Sequence, residues 1–382
     1  KRFCVENSID VIPSYSEADF LDDSNANIEY PVYVKPSYSR GSRGQFLCNS
    51  RDEVLVAIKQ ASEISSDKKA IIEKYLGEND NFQVTYFIVD GSPFLLRTAD
   101  QYQGDKKLRL EKVCLAAVSP SKYTLQYLDK VHPLVINAIK KLGIQNGPLF
   151  MQGFIDGKTI RFYDPGLRFP GTEYSVVLKN HLQIDLAKTL VEFAVSGRCD
   201  SIKALLDDKV VFLNGGYIVN LFPTISEGSI CSLPAAEEIL SIPGVENISY
   251  RHYVGENVIE TGDVNQRIGE INIWGNSKEE LINSIDEIYK SLIVLDVNKN
   301  NLVNNKFDST QICTEQIKYE VVLDYRSSVK ILTQQDLIDS GCMNFKLASE
   351  ILEHAFVQYS KGKVLFPDKV SVIFDDTIPI TP

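Results

Sequence analysis

Val34-Lys35-Pro36-Ser37-Tyr38-Ser39-Arg40-Gly41-Ser42-Arg43-Gly44 carries a strand-like run into a loop of glycine, serine and arginine. The run begins at Tyr30-Pro31-Val32-Tyr33, rich in residues that favour strands, and a proline stops it just after the lysine. A lysine on a rigid strand can meet a phosphate as a point charge, and a glycine-rich loop can offer its backbone N–H groups to the same anion. The order GxxxxGK[ST] is absent, so the loop is not a P-loop, and GxGxxG is missing, which excludes the dinucleotide fingerprint. Taken alone, the loop suits a solvated turn equally well.

Outward from this loop, Asp52 to Ala61 reads as a helix with Asp52 and Glu53 at its positive end. Ala70 to Leu76 reads as a strand carrying Glu73 near its end. That carboxylate can receive an amino group or a ribose hydroxyl, although Glu73-Lys74 alone suits an ordinary surface charge pair better. Gln83–Val89 and Phe94–Arg97 form a hairpin about Asp90-Gly91. A long helical stretch follows Pro120 and stops at Gly143. Gly147–Phe154 and Lys158–Asp164 make a second hairpin about Asp156-Gly157, and counting from the turn sets Gln152 beside Asp164. A magnesium ion can sit against those oxygens, with Arg168 balancing phosphate charge. Tight-turn hairpins followed by helices predict an α+β fold.

The 382 residues suffice for two or three cores. Lysine and arginine number 40 against 51 acidic residues, a net charge of −11. That balance argues against nucleic-acid binding and allows one local basic pocket. No apolar run approaches the roughly 20 residues that span a bilayer, so no membrane partner is expected. Seven scattered cysteines without a CxxC pair read as reduced thiols of a cytoplasmic protein. Composition shifts near 200–210 and at the asparagine-rich 298–309, dividing the chain into 1–208, 209–297, a linker at 298–317, and a tail at 318–382. His132, His181, His252 and His354 show no metal spacing, Trp274 reads as core, and no motif supports Cys231 as a nucleophile.

The order of these motifs over about residues 1–296 resembles the ATP-grasp superfamily, nearest its carbamoyl-phosphate-synthase-like and amino-acid-ligase-like branches. The resemblance implies ATP held between two α+β lobes, and an acyl-phosphate made from a carboxylate and attacked by an amine. By the same resemblance, Lys35 meets the nucleotide phosphates, with Ser37 and Gly41, Ser42, Arg43 and Gly44 on the covering loop. Glu73, Lys74, Tyr75, Leu76 and Asn81 line the adenosine, Asp164 and Gln152 hold Mg²⁺, and Arg168 with Lys35 assists phosphoryl transfer. Residues 209–297 resemble the closing domain of biotin-carboxylase-like members. Gln152 replaces the family's first metal acid and Gly166 its asparagine. The usual N-terminal domain is missing or truncated, and Lys1, the one nearby candidate for that domain's ATP lysine, lies closer to Pro13 than expected and is left unassigned. Residues 318–382 resemble the opening of the ornithine cyclodeaminase and mu-crystallin family, a partial α/β appendage whose NAD site would lie beyond Pro382. The expected partners are a small-molecule carboxylic acid, an amine and a second copy of the chain. The alternative is a non-catalytic or degenerate nucleotide-binding module.

Overall fold

The computed structural model describes residues 1–21, 28–39, 44–77, 79–110, 113–203, 205–207 and 209–312. Gly41, Ser42, Arg43 and the tail's resemblance at 318–382 lie outside the described residues. A short helix α1 (Arg2–Val5) leads into a four-stranded antiparallel sheet of β1 (Ser14–Tyr15), β2 (Val32–Pro36), β3 (Phe46–Cys48) and β4 (Ala70–Lys74), ordered β1-β4-β2-β3. Helix α2 (Arg51–Ile64) packs on it through Val54, Ala57, Ile58 and Ala61, the i, i+3, i+4, i+7 face of an amphipathic helix. Ser50 caps that helix by accepting from the Glu53 N–H.

The larger sheet collects β5 (Asn81–Val89), β6 (Ser92–Gln103), β7 (Cys114–Ser119), β8 (Gly147–Asp156), β9 (Thr159–Gly166), β10 (Tyr217–Leu221), β12 (Val245–Tyr250) and β14 (Gly269–Gly275). Their order is β12-β14-β10-β7-β6-β5-β8-β9, with β11 (Gly228–Ser229) and β13 (Asn257–Val258) paired separately. The segment 209–297 thus adds β10, β12 and β14 to the same sheet as the hairpins before it. Helices α3 (Thr124–Lys130) and α4 (His132–Leu142) replace the single helix expected after Pro120. Pro133 has no N–H to continue the ladder, so the helix restarts there, and Gly143 ends it with a left-handed φ of 67°.

Helices α5 (Ser175–Leu182), α6 (Leu186–Ser196) and α7 (Asp200–Lys203) cover one end of the sheet, and α8 (Ala236–Leu240) and α9 (Lys278–Ser291) lie in the later segment. The run Val210-Val211-Phe212-Leu213 is a buried 3₁₀ turn, although periodicity cannot separate such a run from a strand when every residue is buried. The six residues of β12 are all half-buried and show no alternation.

The asparagine-rich stretch differs from the expected linker. Leu302, Phe307 and Ile312 are buried in the same core as α9, and Asp296 accepts from the N–H groups of Asn298 and Asn300. Its polar side chains close a tight turn on the core.

Candidate functional site

One face of the large sheet is apolar, and the other carries a polar band beside a core cluster of Phe87, Val89 and Ile218 with helices α5 and α6. On β5, Phe82, Val84, Tyr86 and Ile88 join Leu149 and Met151 of β8 in a core cluster that also takes in residues of α3 and α4. The alternate residues Gln83 and Thr85 face the other way, and cross-strand register extends that face. Asp164 pairs with Gln152, Gln152 with Gln83, and Gln83 with Ala99. Gln101, two residues on, pairs with Ala117, which pairs with Asn220, which pairs with Asn272. A polar floor therefore crosses the sheet from β9 to β14. Its signal in the sequence is a polar residue recurring at every second place of apolar runs, as in Gln83-Val84-Thr85 or Ile271-Asn272-Ile273.

At one end the small sheet supplies cations. Glu73 is 3% exposed, and its two oxygens meet Lys1 Nζ at 2.5 Å and Lys35 Nζ at 2.7 Å. Burial lowers the Lys1 pKa, against the pull of Glu73, and Lys1 also donates to the Ile12 carbonyl and the Ser14 hydroxyl. Lys1, set aside in the sequence, therefore shares the carboxylate of Lys35. Glu73 is occupied by these lysines, whereas Lys74, on the opposite face of its strand, pairs with Glu29. Ser37 is held in a turn by Asp67, at 2.5 Å, and by Ser65. Gly44 has φ +75°, a left-handed conformation that favours glycine for the turn's own sake. The Tyr75 N–H donates to the Pro31 carbonyl, Leu76 is buried, and Asn81 opens β5 opposite Gln101 and Phe154.

Lys35 Nζ also sits 5.6 Å from the centroid of the Tyr163 ring, which brings the cations to β9. Burial, then the neighbouring Asp164, raises the Tyr163 pKa, so this phenol stays neutral. A β-bulge between Gln152 and Gly153 shifts the hairpin register by one, and only through that bulge does Gln152 face Asp164. Asp164 Oδ2 accepts from Arg168 Nη2 at 3.1 Å, and the Arg168 guanidinium lies 4.9 Å from the Phe150 ring centroid. Gln152 donates to Gln101 Oε1 at 3.3 Å, which turns its own carbonyl oxygen to the other side of the amide. Asp164 and Gln152 thus offer oxygen ligands with a single negative charge, and Gly166 offers none. Such a set fits a hard divalent cation when phosphate oxygens complete it.

Toward the other end stand polar groups to which the sequence reading gave no role: the buried Arg97, Asn220 and Asn272 and the half-buried Arg267 and Glu270. Burial pushes the Glu270 carboxyl up to about 7, above the usual glutamate value. The folded state then binds a proton that the unfolded state releases between about pH 4 and 7, so this contribution to stability is lost as pH rises across that window. Glu270→Gln is expected to stabilise the fold at pH 8 by on the order of 1 kcal/mol, with a higher melting temperature there and little change at pH 4.5. Equal shifts at both pH values would show that Glu270 does not titrate this way.

Residues 4–146 match the family model for the carbamoyl-phosphate synthase L chain, ATP binding domain. The large chain of carbamoyl phosphate synthase from Thermotoga maritima is 25% identical over 126 residues, 31% of this chain and 11% of the relative. Among solved structures, the biotin carboxylase domain of Hydrogenobacter thermophilus 2-oxoglutarate carboxylase is similar with a TM-score of 0.59 and 16% identity, over 77% of this chain and 65% of that one. The fold is ATP-grasp, of the biotin-carboxylase-like kind. An L-amino acid ligase from Bacillus licheniformis shares it at a TM-score of 0.57 and 15% identity, over 77% of this chain and 70% of that one. The chain spans about a tenth of the curated relatives it matches. These matches show the fold, and none of them bears on the tail's resemblance to ornithine cyclodeaminase. Among the described residues no helix is long and apolar enough to cross a membrane.

Proposed function

We propose that this chain is an ADP-forming carboxylate–amine ligase that binds ATP between its two sheets and activates a small carboxylic acid, such as an amino acid, as an acyl-phosphate. The observation that supports this reading is the contact of Lys35 with the Tyr163 ring, which sets the Lys35 cation beside the residue next to Asp164. Lys35 and Lys1 would exchange Glu73 for the nucleotide phosphates. The backbone around Tyr75 and Leu76 would line the adenine, with the loop at 41–44 closing over the phosphates.

Asp164 and the Gln152 carbonyl would hold Mg²⁺, which when bound supplies charge neutralisation to the transferred phosphoryl group. Arg168, already directed at Asp164, would balance the charge that remains. The carboxylate oxygen then attacks the terminal phosphorus, ADP leaves, and the amine displaces phosphate from the acyl carbon. Positioning and electrostatics supply most of the acceleration in such a reaction. A homodimer, the division at 208/209 and a cytoplasmic setting complete the proposal.

The test is ADP release from Mg-ATP in a screen of amino acids and small acids, singly and in acid–amine pairs. At least one pair should stimulate release above the ATP-only rate; no stimulation by any pair would count against a ligase.

The Gln152 and Gly166 positions favour a second reading, a nucleotide-binding module whose metal site has decayed. The two readings differ in how the site responds to repair. A Cβ at Gly166 would meet Arg168 at 3.6 Å, an ordinary contact, so the site has room for a further oxygen ligand. In the ADP-bound protein, Gln152→Glu with Gly166→Asn is expected to tighten Mg²⁺ binding about tenfold by calorimetry, roughly 1.4 kcal/mol. Unchanged Mg²⁺ affinity would mean that these positions do not meet the metal.

A further inference from the structure

The buried network between β6 and β14 has a direction. Arginine can only donate, so Arg97 Nη2, at 2.6 Å, requires the Asn220 side-chain oxygen. The Asn220 amide nitrogen must then face onward, and it donates to Asn272 Oδ1 and, at 3.4 Å, to Glu270 Oε1. With its oxygen engaged, Asn272 presents its own nitrogen. Arg97 Nε donates to Ser119 Oγ at 2.7 Å, and the Arg97 guanidinium stacks on the Tyr174 ring at 4.7 Å. Three nitrogens are left over: Arg97 Nη1, Asn272 Nδ2 and Arg267 Nε, all buried and without a hydrogen-bond partner.

What this end of the floor lacks is therefore an acceptor. Arg97 is 1% exposed and carries a full charge, and the one carboxylate bonded into its network is Glu270, which already accepts from the Glu173 N–H at 2.7 Å. A water molecule could accept these bonds but would leave the buried cation uncompensated, which is costly at this depth. A carboxylate supplies two acceptor oxygens and one negative charge, and guanidinium and amide N–H groups are the donors that planar anions use.

We propose that this end of the floor binds the carboxylate of a small organic acid, its oxygens taking the free N–H groups of Arg97 and Asn272. The inference deepens the ligase reading, on which it rests for its place in catalysis. The site lies on the same face as Gln152 and Asp164, with Arg97 on β6 two strand spacings from β8, roughly 10 Å, and Asn272 on β14 five spacings away, roughly 24 Å. The bound carboxylate is therefore a recognition handle remote from the reacting carboxyl, and the substrate pair carries at least two anionic groups.

The probe is acetate, added to the full chain without nucleotide and compared with chloride at equal ionic strength and with inorganic phosphate. Acetate should raise the melting temperature of the wild type, and chloride should not. Asn272→Asp places the missing acceptor inside the protein, so it should raise the melting temperature without ligand and weaken acetate binding at least tenfold. Arg97→Lys, which keeps charge but loses the fork, should also weaken acetate binding tenfold, whereas Asp164→Asn should leave it unchanged.

A lowered melting temperature in Asn272→Asp, or equal acetate affinity in Asn272→Asp and wild type, would overturn the proposal in favour of ordered water. Stabilisation by phosphate but not acetate would overturn the assignment to a carboxylate. Acetate binding that depends on Asn272, in a protein that releases no ADP with any acid and amine, would sustain this site and remove the ligase reading alone.

Discussion

Asp164→Asn is expected to lower acid-dependent ADP formation by more than about tenfold, a loss of at least 1.4 kcal/mol of transition-state stabilisation. Asp164 is the one anionic side chain among residues 152, 164 and 166, and Gln152 contributes an oxygen without charge. A metal held there loses its only protein charge in the variant. Stability should scarcely change, because Asp164 is half-exposed and its pairing with Arg168 is a surface ion pair worth about 1 kcal/mol or less. Steady-state ADP release and a thermal melt separate the two effects. Wild-type turnover in Asp164→Asn would remove the residue from the site.

Lys35→Ala should weaken ATP binding at least tenfold while leaving the nucleotide-free melting temperature close to wild type. The reason lies in Glu73, which is buried between two lysines. With Lys35 gone, Lys1 still neutralises the carboxylate, so the fold keeps its ion pair and only the phosphate-binding cation is lost. Removing Lys1 and Lys35 together leaves a buried carboxylate without a cation, which should cost about 3 kcal/mol or more. Calorimetric ATP titrations and melts of the two single variants and the double variant form the comparison. Unchanged ATP affinity in Lys35→Ala, or a double variant as stable as either single one, would contradict this account.

Local signals explain which parts of the fold can be read from the chain. Asp90-Gly91 and Asp156-Gly157 each mark a tight turn, so both hairpins follow from turn chemistry and alternation. Counting pairs Gln152 with Asp164 only on symmetry about Lys158; the turn's own register would pair it with Tyr163, and the bulge moves it to Asp164. Long-range effects are less accessible. Lys1 reaches Glu73 across 72 residues of chain, and nothing local to Lys1 announces the carboxylate that holds it. Arg97 reads as the end of an apolar strand, and its meaning depends on Asn220, more than a hundred residues away. The linker expectation failed because asparagine-rich composition serves a packed turn as readily as a solvated one, and Phe307 decides between them by burying its ring beside Tyr102.

The central claim is that a carboxylate takes the terminal phosphoryl group of ATP. It is tested most directly by oxygen transfer, using the stimulating acid labelled with ¹⁸O in its carboxyl group. An acyl-phosphate intermediate predicts one labelled oxygen in each phosphate released, with one phosphate and one ADP per amide formed. Phosphate that carries no label from the acid, at a measurable rate of ADP release, would contradict it.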